Sequence, residues 1–142
     1  MPATASGGLT LLAVAGIYLL IWRRREGLRA AAPDQAIAVL ALILALMTFG
    51  KVLSPQYFIW VLPVWALVAA RDRVIAVLGG LTLLLTQVEF PALYWRFLDM
   101  QPESVAIVVT RNTLLACFFA FAAWRLWRLP EGERSQWSPS RV

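Results

Sequence analysis

The chain has no histidine and a single cysteine, Cys117, among its 142 residues. One cysteine excludes a disulfide within the chain, and the two shortages together exclude a metal site built from cysteine and histidine. Acidic residues are also few, with 8 Asp and Glu against 13 Lys and Arg. None of them precedes Glu26, so the first 25 residues offer no carboxylate for acid–base catalysis.

Apolar residues are abundant instead. They make up 61% of the chain, and the mean hydropathy is +0.70. A soluble domain of this length could not bury so much apolar surface, so the composition predicts a membrane protein. The net charge of +5 would suggest nucleic acid in a soluble protein. Here the basic residues lie between apolar runs, which indicates membrane topology and no nucleic-acid partner.

Five apolar runs predict an all-α, polytopic membrane bundle of about five transmembrane helices. The runs lie at 7–22, 36–52, 55–70, 74–88 and 104–127. A spanning helix needs about 20 apolar residues, so the fifth run is long enough, and the shorter middle runs predict thin or tilted spans. The bundle would occupy residues 1–129. The polar segment 130–142, with Pro, Gly and Ser, predicts a disordered cytoplasmic tail.

Basic residues predict the orientation. Ten of the thirteen follow the first, third or fifth run: Arg23, Arg24, Arg25, Arg29, Arg71, Arg73, Arg125, Arg128, Arg134 and Arg141. The opposite side has only Lys51 and Arg96, with Arg111 inside the fifth run. The positive-inside rule therefore predicts an N-out, C-in, multi-pass protein of the plasma membrane. The first run carries its charges behind it, which favours a span over a cleaved signal peptide.

The junction between the second and third runs is very short. Gly50 tolerates the left-handed conformation that often ends a helix. Ser54 is a favoured N-cap, and Pro55 is favoured at the first helical position. The sequence therefore predicts that a new helix begins at Ser54, with its free backbone amides and positive dipole end facing outward.

Polar side chains gather at this helix start. Lys51 adds a full positive charge, and Gln56 and Tyr57 lie in the first turn. A cation beside a helix N-terminus suits an anion, such as the phosphate or pyrophosphate of a lipid carrier. The alternative is a snorkelling lysine before a well-capped helix, with Tyr57 and Trp60 as ordinary interfacial aromatics.

Arg111 lies about seven residues into the fifth run, roughly 10 Å along a helix. A charge at that depth costs about 2.5–3.5 kcal/mol, so it requires a partner or a cavity. It is either a second cation for the phosphate or the partner of Glu89 or Glu103, unless it snorkels outward. Loop 89–103, with aromatics and carboxylates, either lines a sugar site or lies along the membrane interface.

Two stretches resemble a known family. "GKVLSPQYFIWVLPV" resembles the Lys-Val-x-Ser-Pro-Gln-Tyr segment of polytopic GT-C glycosyltransferases, above all glycosyltransferase family 87, the polyprenyl-phosphate-mannose-dependent α-mannosyltransferases. "FPALYWRFLDMQPESVAIVVTRNTLLACFF" is similar to that family's extracytoplasmic Phe-Pro-x-Leu-Tyr loop and the following helix with its Arg-Asn pair. The resemblance covers nearly all of this chain and, in a typical family member, the C-terminal portion.

The resemblance implies a polyprenyl-phosphate sugar donor, with mannose as the sugar, bound on the extracytoplasmic side without a metal or cofactor. The implied substrate-binding residues are Lys51, Ser54, Gln56, Tyr57 and Arg111. The family's general base is an acidic residue in an early extracytoplasmic loop. No Asp or Glu precedes Glu26, and Glu26 is predicted to be cytoplasmic, so no residue of this chain matches that base. No catalytic residue is therefore assigned. The resemblance implies that the chain is the C-terminal portion of such an enzyme and is inactive alone. Its implied partners are membrane lipids and an upstream chain. Whether the chain is itself an enzyme stays open.

Two other functions remain open. The chain could be a small non-catalytic membrane subunit or scaffold that keeps only the carrier-binding turn. It could also be part of a transporter or flippase, since charges lie inside the membrane. A transporter favours paired broken helices in an internal repeat, and the sequence shows no such repeat.

Overall fold

A computed structural model describes residues 3–25, 28, 32–50 and 57–129. Within these ranges the chain forms helices and the turns between them, without a β-strand. The helices are α1 (Ala3–Arg23), α2 (Ala32–Phe49), α3 (Phe58–Ala69), α4 (Arg73–Gln87), the short α5 (Tyr94–Leu98) and α6 (Pro102–Trp127). A kinked helical segment, Val88–Leu93, joins α4 to α5.

The prediction of an all-α fold is confirmed for the described part of the chain. Each predicted apolar run corresponds to one of the five main helices, with ends that differ by a few residues. The α-helix of the third run begins at Phe58, with Tyr57 at its N-cap position. The predicted caps Ser54 and Pro55, and the predicted tail 130–142, lie outside the described residues.

The core lies where α2 meets the other long helices. Helix α2 packs against α1, α3 and α6, and α6 packs against α4 as well. Four residues of α2 are fully buried: Leu40, Ala41, Leu44 and Ala45. They face the buried side of α6, which carries Leu115, Phe118, Ala122 and Leu126. Repeats of three and four residues on both helices give each one a single core-facing stripe.

The outer faces of the helices are apolar as well. Large hydrophobic side chains more than half exposed occur on α1, α3, α4 and α6, and they include Leu11, Leu12, Trp60, Leu67, Leu84 and Val109. Soluble monomers rarely expose such continuous apolar surface. Two stretches, Arg73–Phe90 and Pro102–Trp127, are long and apolar enough to cross a membrane. Apolar residues both inside and outside the bundle are what lipid-facing helices require.

Helices α3 and α4 form a tight hairpin around Trp65. The indole Nε1 donates a hydrogen bond to the backbone oxygen of Ile75, at 2.9 Å. Gly79 lies against the same ring, and a Cβ atom there would overlap the indole. Glycine therefore lets the two helices approach closely, as small residues do at helix contacts in membranes.

Candidate functional site

A buried charge pair links the kinked segment to α6. Arg111 is 3% exposed, and its Nη1 donates to Oε2 of Glu89, whose side chain is 13% exposed. Asn112 accepts two further bonds through Oδ1, from Nε at 3.2 Å and from Nη2 at 3.0 Å. Of the two ion-pair partners that the sequence allowed for Arg111, the structure selects Glu89. Glu103 instead lies 4.0 Å from Arg96, with both side chains largely exposed.

Proline explains why Glu89 reaches this position. Phe90 precedes Pro91 and has an extended backbone, with φ −124° and ψ 119°. A residue before proline is pushed out of the helical region, because the proline ring crowds its backbone amide and Cβ. The helix therefore bends immediately after Glu89. The bend leaves the carboxylate at the end of α4, against the side of α6.

The segment between Glu89 and α6 folds back on itself. Ser104 is 2% exposed, and its hydroxyl donates to the backbone oxygens of Gln101 at 2.7 Å and Arg96 at 3.1 Å. Met100 has a positive φ of 53°, which turns the chain into α6. Trp95, Leu98 and Met100 expose their apolar side chains. This arrangement is typical of a segment that lies along a membrane interface, one of the two interpretations of loop 89–103.

Described residues flank the turn that carries the family resemblance on both sides. Helix α2 ends at Phe49, whose ring packs edge-to-face on Phe119 at 5.5 Å. Tyr57, where the described chain resumes, is half-buried, and its ring lies 5.4 Å from that of Trp60. The predicted site residues Lys51, Ser54 and Gln56 lie outside the described residues.

Gly50 departs from its predicted conformation. A left-handed backbone was expected at the end of α2, but no described glycine has a positive φ. The Gly50 amide instead donates to the oxygen of Leu46 at 2.9 Å, which continues the helical bonding. Glycine suits the position for steric reasons, because a Cβ atom would overlap the Leu46 oxygen.

A second ion pair lies at the opposite end, and the sequence analysis missed it. Asp72 is the N-cap of α4, and its Oδ1 accepts from the amides of Val74 at 3.0 Å and Ile75 at 3.2 Å. Its Oδ2 accepts from Arg125 Nε at 2.7 Å and Nη2 at 2.6 Å. An aspartate directly before an apolar helix is a recognised N-cap signal. That signal was available in the sequence, whereas the Arg125 partner was not.

The two ion pairs fix the register of α4 against α6. Asp72 and Glu89 are 17 positions apart, and Arg111 and Arg125 are 14 apart. These separations correspond to about 25 and 21 Å along a helix. No charged residue occurs between 74 and 88 or between 112 and 124. The apolar layer between the pairs is thus slightly thinner than a typical hydrocarbon core of about 30 Å.

The Arg111 guanidinium keeps N–H donors that no described residue accepts. A guanidinium group has five N–H donors, and Glu89 and Asn112 take three of them. One N–H on Nη1 and one on Nη2 therefore have no acceptor among the described residues. Comparison with protein-family models, with curated proteins and with solved structures finds no match to this chain.

Proposed function

We propose that the chain is the C-terminal membrane portion of a GT-C-like glycosyltransferase that uses a polyprenyl-phosphate sugar, with mannose as the sugar. Its five helices span the plasma membrane with the N-terminus outside and the C-terminus inside. It binds the carrier phosphate on the extracytoplasmic side. The catalytic base comes from an upstream part of the enzyme.

The main support is the position of Arg111. Its guanidinium is buried, and Arg111 lies on α6 eight positions before Phe119, which packs on Phe49 at the end of α2. A buried arginine inside an apolar helix is costly and therefore points to a function. With two N–H donors free of partners among the described residues, it can contact a phosphate held by Lys51 and Gln56.

Because of Glu89, the two cations Lys51 and Arg111 contribute differently to phosphate binding. Because its carboxylate already offsets the charge of Arg111, the net attraction for phosphate comes from Lys51. Arg111 contributes directed N–H donors, which favour one orientation of the phosphate. Glu89 positions that guanidinium.

Binding of a short-chain polyprenyl phosphate to the purified chain in liposomes tests this proposal. We expect Lys51→Ala and Gln56→Ala each to weaken binding about tenfold or more, since a hydrogen bond to a charged group contributes about 1.5–3 kcal/mol. Arg111→Lys keeps the charge but loses the fork, so it should also weaken binding. Arg96→Ala removes an exposed cation at the same end and should leave binding unchanged.

The matching polyprenol without phosphate provides the ligand control and should bind much more weakly. Equal binding of the alcohol and the phosphate would overturn the proposal. So would unchanged affinity in both Lys51→Ala and Arg111→Lys, which would leave a snorkelling lysine before an ordinary helix.

A small non-catalytic membrane subunit is the second candidate function. The Glu89 carboxylate is paired with Arg111 and is poorly suited to take a proton from an acceptor, which is consistent with a chain that performs no catalysis itself. A reading frame directly upstream that encodes further spans and an early extracytoplasmic acid would favour the enzyme. Carrier binding without such a segment would favour the subunit.

A further inference from the structure

A charged cleft opens at the Asp72 end of the bundle, opposite the proposed carrier site. It has a volume of about 260 Å³ and lies between the first turn of α2, the α3–α4 turn and the end of α6. Its charged lining consists of Asp34, Arg71, Asp72, Arg125 and Arg128. These five residues come from three segments that are far apart in sequence, so the fold itself brings the segments together.

Some charged residues of the cleft form an ion pair and others do not. Asp72 and Arg125 neutralise each other, and Asp72 is also bonded to two backbone amides. Arg71 and Arg128 then face one further acid, the half-buried Asp34, and neither forms an ion pair with another described residue. The cleft therefore has two available guanidinium groups and a net positive charge.

Arg128 is held in place rather than free to extend into solvent. Its guanidinium carbon lies 4.5 Å from the centre of the Trp124 ring. A cation stacked on an indole keeps its planar face fixed, which lowers the entropy cost of binding at its edge. The Arg125 guanidinium is likewise fixed, because Nε and Nη2 both donate to Asp72.

We propose that this cleft binds a phosphate group, either from an acidic phospholipid of the adjacent leaflet or from a soluble phosphate compound. Arginine forks match phosphate oxygens in two-point hydrogen bonds. Basic pockets between helix ends at a membrane surface are typical binding sites for anionic head groups. The proposal is independent of the proposed function, since it concerns the other end of the bundle and shares no residue with the carrier site.

Titration of the purified full chain in a neutral detergent tests the cleft. The ligands are short-chain phosphatidylglycerol, phosphatidylcholine of the same acyl length, and inorganic phosphate, with bound phospholipid counted by native mass spectrometry. Inorganic phosphate is measured by its ability to displace phosphatidylglycerol. We expect phosphatidylglycerol to bind more tightly than phosphatidylcholine.

Variants separate the cleft from general surface charge. Arg71→Gln and Arg128→Gln should each weaken phosphatidylglycerol binding about tenfold or more, because each removes a charge-assisted contact. Arg73→Gln removes an exposed arginine two positions from Arg71 that does not line the cleft, so it should have little effect. Asp34→Asn should tighten binding, because it removes the competing carboxylate. Helix content and elution volume of each variant check folding.

The outcomes assign or refute the site. One outcome is that inorganic phosphate displaces phosphatidylglycerol at a similar concentration and with the same dependence on Arg71 and Arg128. That result supports the site and assigns it to soluble phosphates. Weak displacement by inorganic phosphate supports the site and assigns it to lipid head groups. Equal binding of the two phospholipids, an equal loss in Arg73→Gln, or weaker binding in Asp34→Asn would overturn the proposal.

Discussion

Replacing Glu89 with leucine should destabilise the bundle by about 3–5 kcal/mol, the largest effect expected of any single substitution in this chain. The substitution leaves the guanidinium of Arg111 buried among apolar helices without its carboxylate. Arg111→Leu should cost a similar amount, because it leaves Glu89 as an unpaired buried anion. Breaking such a pair is far more costly than never having had it, since the remaining charge cannot recover its hydration.

A double-mutant cycle tests this expectation. The variant Glu89→Leu/Arg111→Leu should be much closer to wild type than either single variant, because it leaves no unpaired charge. Glu103→Gln, which removes the exposed partner of Arg96, should change stability by about 1 kcal/mol or less. The free energy of unfolding can be measured in mixed micelles of a mild detergent and dodecyl sulfate. Single effects that simply add in the double variant would show that the two residues are not coupled.

The second largest effect is expected at Asp72. Asp72→Ala removes the N-cap of α4, which contributes about 0.5–2 kcal/mol, and also leaves Arg125 without its partner. Arg125 is 45% exposed in its side chain, so water screens its charge and the ion pair adds about 1 kcal/mol at most. We therefore expect a loss of about 2 kcal/mol, smaller than that at Glu89.

Asp72→Asn separates the two contributions. An asparagine side chain still accepts from the amides of Val74 and Ile75 but carries no charge, so most of the stability should remain. Arg125→Gln should match Asp72→Asn, since both remove only the ion pair. The same unfolding measurement applies. A loss in Asp72→Asn as large as that in Asp72→Ala would mean that charge pairing, rather than capping, gives Asp72 its importance.

The number of helices and their approximate positions could be predicted from the sequence. A long apolar run in lipid must satisfy its backbone hydrogen bonds internally, and a helix does so. The fifth predicted run, 104–127, corresponds to the helix Pro102–Trp127, and the fourth, 74–88, corresponds to the helix Arg73–Gln87. The kink at Phe90 also has a local cause in Pro91. Features of this kind depend on residues that are close together in sequence.

Contacts between helices could not be predicted in the same way. Glu89 and Arg111 are 22 positions apart, and Asp72 and Arg125 are 53 apart. Which acid meets Arg111 depends on how α4 slides and rotates against α6.

The sequence of α6 does not show which of its small side chains are buried. Free cysteine is usually a buried, small apolar residue, but Cys117 is exposed. Of the small residues on this helix, Ala116 and Ala120 are exposed, Ala123 is half-buried and Ala122 is fully buried. Gly79, by contrast, contacts Trp65 as a small residue at a helix contact should. In a helix that is apolar on all sides, periodicity alone does not show which face is buried.

We propose that the Glu89–Arg111 end of the bundle faces outward and that the arginine-rich end faces the cytoplasm. Cysteine accessibility in intact cells tests it most directly, in a Cys117→Ala background, with single cysteines at positions 6, 54, 101 and 138. Gln101 is exposed, whereas the nearby Ser104 is buried and hydrogen-bonded and would label poorly. A membrane-impermeant maleimide should label positions 6, 54 and 101 from outside, and position 138 only after permeabilisation. Labelling of position 138 in intact cells, or protection of 54 and 101, would contradict the account.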